Sequence, residues 1–98
     1  MADQDSNLPQ KAPSVYDHIA MMIQQMAHVC WAKLGLQPDT ITGKLEQNLE
    51  EAKVAIDVVA SLVRVLEPQL DEEDRRQLQG MLRDLRLNFV QKSTEASS

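Results

Sequence analysis

The stretch from Asn48 to Pro68, NLEEAKVAIDVVASLVRVLEP, decides the fold. Leu49, Ala52, Ile56, Val59, Val63 and Leu66 recur in it at spacings of three and four, the interval that returns a side chain to one face of an α-helix. Asn48 carries a short side-chain oxygen that can accept from an orphan backbone N–H, and Glu51, three residues on, favours the positive end of the helix dipole. Pro68 lacks an N–H and closes the segment near Leu66. No alternation of β-branched and polar residues competes with this reading. Val54, Val58 and Val65 lie on the flank of the seam, so this helix, placed at about 49–66, carries more apolar surface than one seam needs.

The same start signal occurs twice more, as Ser14-x-x-Asp17 and Asp71-x-x-Asp74. Gly35 can take the left-handed conformation that ends a helix after Leu34, and the polar residues after Val90 end the last one. Helices are therefore predicted at about 15–34, 49–66 and 72–90. The first has a broad apolar arc that includes Ile19, Met22, Ile23, Met26, Ala27, Val29 and Cys30; the third has a narrow stripe of Leu78, Met81, Leu82, Leu85 and Phe89. Residues 1–13 and 92–98 offer almost nothing to bury and read as disordered tails. The expectation is an all-α chain: a three-helix antiparallel arrangement over 14–91 with a long first linker and disordered tails.

At 98 residues there is room for one domain, small enough that a partner or oligomerisation would add useful stability. A net charge of −5 and a sequence pI near 4.8 oppose non-specific binding to nucleic acid or to anionic membrane. The lone cysteine, Cys30, cannot form an internal disulfide and fits a reducing, cytoplasmic setting. No basic segment followed by an apolar core opens the chain, and no apolar run is long enough to span a membrane.

Thr42-Gly43-Lys44 looks like the end of a phosphate-binding loop, but Gly35 stands eight residues before Gly43 and Leu45 occupies the position of the magnesium-binding Ser or Thr. With a helix rather than a strand before it, the segment reads as a connector and no nucleotide is expected. His18 and His28 are ten residues apart on one helix and cannot share a metal. Cys30 lies on the apolar arc, Ser61 has no histidine at helical spacing, and the run Asp71–Asp74 lacks the glycine and alternating ligands of a calcium loop. No cofactor, no metal and no catalytic set is expected.

Leu34-Gly35, Pro38, Gly43, Asn48-Leu49, Ala52, Ile56-Asp57, Leu70 with Glu73, and Leu85-Arg86 form an ordered set across residues 16 to 90. In this set the chain resembles the small bacterial proteins of domain-of-unknown-function family 1844. It departs from that pattern at Asp71, where a threonine cap is usual, and at VRVLEPQ, in place of a more polar linker. The resemblance implies a small helical protein and brings no known chemistry.

Two surface features remain. Lys53, Asp57 and Arg64 form a polar spot on the second helix, a candidate recognition site for a basic partner or a plain i,i+4 pair. Arg75, Arg76, Arg83 and Arg86 are balanced by Glu72, Glu73, Asp74 and Asp84, and no aromatic platform accompanies them, which argues against nucleic acid. The reading that fits best is a non-catalytic interaction module that binds itself, as a dimer, or another protein. Val54, Val58, Val65, Gly80 and Leu87 are its candidate contact surface. A small ligand-binding protein or enzyme using Met21, Met22, Met26, Cys30 and Trp31 is the alternative. A monomer would have to cover its apolar flanks with the 36–47 linker, folding Leu36, Ile41 and Leu45 back.

Overall fold

Each helix starts at a side-chain cap. Ser14 Oγ accepts from the Asp17 N–H at 3.1 Å while the Asp17 carboxylate accepts from the Ser14 N–H at 2.9 Å. Asn48 Oδ1 accepts from the Glu51 N–H at 3.1 Å, and Asp71 Oδ1 from the Asp74 N–H at 2.8 Å. The computed structural model describes residues 12–97. It contains three helices: α1 (Val15–Lys33), α2 (Leu49–Leu66) and α3 (Glu72–Ser97), with a single 3-10 turn, Glu67–Gln69, holding Pro68 between the last two. Of the first expected tail, residues 1–11 lie outside the described chain, as does residue 98.

The end of α1 depends on Gly35. At φ +80° it lets the Leu36 N–H reach back to the Trp31 carbonyl at 3.1 Å while its own N–H bonds the Ala32 carbonyl at 3.0 Å. The end of α3 differs from expectation: the helix does not stop at Val90 but continues to Ser97, through most of the segment read as a disordered tail. Local bonds sustain it. Thr94 Oγ1 and Ser97 Oγ donate to carbonyls one turn back, and Lys92 pairs with Glu95 at 3.5 Å.

Buried side chains come from all three helices, led by α2 with Ala52, Ala55, Ile56, Val59, Val63 and Leu66. α1 adds Ile23, Ala27 and Cys30, joined by Leu34 at its C-cap, and α3 adds Leu82 and Leu85. Helix α1 runs antiparallel to α2: Lys33 pairs with Glu51, and Cys30 Sγ donates to the Ala52 carbonyl at 3.6 Å. Around α2 the buried arc passes in order through Ala55, Leu66, Val59, Ala52, Val63 and Ile56. α1 occupies the Ala55 end of that arc, which leaves the Ile56 end for α3. α3 also meets the far side of α1, where Ala20 and Gln24 face Leu70, Asp74 and Leu78 across a shallow depression.

The first linker does not fold back over the helices. Asp39 organises it into a local turn: its carboxylate accepts from the N–H groups of Ile41 and Thr42 at 2.8 and 2.9 Å, and its carbonyl from that of Gly43 at 2.8 Å. The linker's ends are pinned together as the Asn48 N–H bonds the Lys33 carbonyl and Gln47 Nε2 the Leu34 carbonyl. Leu36, Ile41 and Leu45 consequently stay 41 %, 91 % and 64 % exposed, and the cover that a monomer would need is not supplied. With a Cα radius of gyration of 16.7 Å, against about 13 Å for a compact domain of this length, the chain keeps a large surface.

Candidate protein-interaction face

On α2, Val54, Val58 and Val65 lie on the side of the helix opposite its Val63–Ile56 arc, and so away from α3. Val54 and Val65 are 61 % and 58 % exposed, and Val58 is half-buried. The neighbouring side of α1 presents Met22, 51 % exposed, and the half-buried Met26 and Val29. Between the two helices Met26, Val29, Val54, Ala55 and Val58 line an open apolar groove of about 290 Å³, closed at one end by Lys33 and Glu51. Lys33 Nζ stands 3.1 Å from Glu51 Oε1 there, an ion pair partly sheltered on the lysine side.

Met22, Met26, Val29, Lys33 and Glu51 were not among the contact residues read from the sequence. Their signal was present. Met22, Met26, Val29 and Lys33 advance by four, three and four residues, as do Val54, Val58, Ser61 and Val65 on α2. Gly80 and Leu87, grouped with the valines at first, do not join them. Each sits two positions, about 200° around α3, from Leu82 and Leu85, which point into the core. Leu87 is 61 % exposed on the outer side of α3, and the space at Gly80 is bordered only by the Arg83 guanidinium.

The family-model match runs over residues 16–91, under the description Domain of unknown function (DUF1844). The chain belongs to this family. No curated protein and no solved structure matches it. The matched span contains all of α1 but Val15, the linker, α2 and the part of α3 that reaches the core, ending just after Phe89.

Apart from Met22 and Met26, the remaining sequence candidates are separate from the groove. Lys53 and Asp57 form an exposed i,i+4 pair at 3.5 Å, with Arg64 exposed on the same polar arc; such pairs contribute about 0.3–0.5 kcal/mol and hold no shaped site. Arg75 donates to the Leu70 carbonyl at 3.0 Å and Arg76 lies 3.8 Å from Glu72. Met21 and Met22 face outward while Cys30 is fully buried, so the Met-rich set does not converge on one cavity. Burial pushes the Cys30 thiol up to about 11, where it acts as a packing group. In the Thr42-Gly43-Lys44 turn the Ile41 and Thr42 N–H groups point at the Asp39 carboxylate, the same inward use of N–H groups that a phosphate would compete for. His18 and His28 are exposed. Among the described residues there is no group of His, Cys, Asp and Glu spaced for a metal, and no helix long and apolar enough to cross a membrane.

Proposed function

We propose that this chain is a non-catalytic protein-interaction module of the cytoplasm, and that its working surface is the face of the α1–α2 hairpin turned away from α3. One observation carries the reading: the groove lined by Met26, Val29, Val54, Ala55 and Val58 is apolar over its length, with charge only at the Lys33–Glu51 end. Apolar surface left wet forgoes about 25 cal/mol per Å², and a helical partner is the shape that fills a channel between two parallel ridges. The unfilled linker side supports the same reading, since Leu36, Ile41 and Leu45 leave the groove open. A net charge of −5 turns the module toward protein rather than nucleic acid or anionic lipid.

The test is comparative capture from the native cell with tagged native chain and tagged Val58→Glu. The reading expects the variant, helical by circular dichroism, to lose chains that the native protein retains. Identical retention by both would refute this surface.

A further inference from the structure

We propose that the occupant of this face is a second copy of the chain. It is placed by a two-fold axis running along the hairpin, so that α1 of each copy packs antiparallel on α2 of the other. The proposal rests on the reading of the face as a contact surface and adds its occupant and register.

Spacing gives the first reason. Each helix of the hairpin carries two seams with steps of three and four: one already buried, and one left open. On α2 the buried seam is Ala52, Ile56, Val59, Val63 and Leu66, and the open one is Val54, Val58, Ser61 and Val65. An open seam of this period fits another helix of the same period, and the hairpin itself supplies two.

Side-chain volume selects the axis. The α1 half of the face carries Met22 and Met26, long and flexible, beside Val29, and the α2 half carries Val54, Val58 and Val65, short and stiff. With the axis along the helices, the long Met26 lies opposite the partner's short Val58, and Met22 falls level with the small Ser61. With the axis across them, methionine meets methionine along one edge and valine meets valine along the other, crowding the first and leaving the second hollow.

Charge selects the same axis. Lys33 and Glu51 close one end of the groove at 3.1 Å. An axis along the hairpin brings both such ends together in crossed order, Lys33 beside the partner's Glu51 and Glu51 beside the partner's Lys33. The crosswise axis would lay each charged end on the apolar Val15 and Val65 end of the other copy.

The open face is about 27 Å long and two helices, about 20 Å, wide, a flat footprint near 500 Å² per partner before corrugation, which brings the pair to the roughly 1,000 Å² in total at which specific interfaces begin. Little else in the sequence matches it: residues 1–11, MADQDSNLPQK, hold Met1 and Leu8 as their large apolar side chains, too few for such a seam, and Leu36, Ile41 and Leu45 of the linker stay exposed.

The experiment mixes two differently tagged chains, one Met26→Cys and the other Val58→Cys, under mild oxidation. Buried Cys30 stays silent, checked with the native chain. The proposal expects a disulfide-linked heterodimer at least tenfold above the homodimer formed by Val58→Cys alone. A dominant Val58→Cys homodimer would overturn the axis. No cross-link, with a native chain that stays at 11.0 kDa by light scattering at high micromolar concentration, would overturn the second copy. In that case Val54→Glu, at a site already exposed in the single chain, separates the causes. If it abolishes capture of some other protein, the contact face stands without self-association; if capture is unchanged, both fall.

Discussion

Lys33 Nζ sits 3.1 Å from Glu51 Oε1, tying the last turn of α1 to the first turn of α2 at the mouth of the apolar groove. Within one chain a partly exposed pair of this kind contributes about 0–1 kcal/mol. Glu51→Lys should therefore lower the melting temperature by only a few degrees. Its effect on association should be larger, because four cations would then crowd one end of the paired hairpins. Sedimentation of Glu51→Lys, of Lys33→Glu and of the double reversal checks this. Each single change is expected to weaken association at least tenfold, and the double reversal to restore it; equal association by all four proteins would contradict the crossed arrangement.

Cys30 is fully buried, its S–H directed at the Ala52 carbonyl and its pKa raised to about 11. At pH 8 the folded chain should react with a thiol reagent roughly a hundredfold more slowly than the denatured chain. The sign of the linked stability follows. A thiol whose folded pKa is raised contributes fully below its unfolded value, and that contribution is lost as pH rises toward 11. Denaturant titrations between pH 8 and 11, native against Cys30→Ala, should show the native chain losing the greater share of its stability.

Much of this fold was legible because its signals are local. The caps at Ser14, Asn48 and Asp71 and the left-handed Gly35 each act within a few residues, and all four are found as read. The end of α3 was not legible. Polarity after Val90 reads as a stop, but a helix can continue without burial when Thr94, Ser97 and the Lys92–Glu95 pair satisfy its last turns locally. The apolar groove was half legible. Periodicity places Val54, Val58 and Val65 on one flank of α2, yet only the packing of the helices shows that Met26 and Val29 of α1 adjoin them and that Gly80 and Leu87 of α3 do not.

Asn48 caps α2, the helix that supplies most of the core, through its bond to the Glu51 N–H. Asn48→Ala should cost about 1 kcal/mol, measured as a lower urea midpoint with an unchanged slope. Asn48→Asp, which keeps the accepting oxygen, should retain the native midpoint within error.

Asp39 holds the linker turn, and the N–H groups of Thr42 and then Ile41 keep its carboxyl below the usual range. A depressed carboxylate contributes above its unfolded pKa and loses that contribution as pH falls through the folded value, so the turn should be intact above about pH 4 and loosen in stronger acid. Amide exchange checks this: Ile41 and Thr42 should exchange faster in Asp39→Ala, and at native rates in Lys44→Ala. Magnesium-dependent ATP binding abolished by Lys44→Ala would contradict the connector reading of this loop.

The most direct measurement is molar mass by light scattering across a concentration series, for the native chain and for Val58→Glu, which charges the open groove and spares the buried Ile56–Val59–Val63 seam. The account predicts that the native chain reaches twice its 11.0 kDa mass at micromolar concentration while Val58→Glu, equally helical, stays at 11.0 kDa. A native chain that remains at 11.0 kDa throughout, or a dimer that Val58→Glu leaves intact, would contradict it.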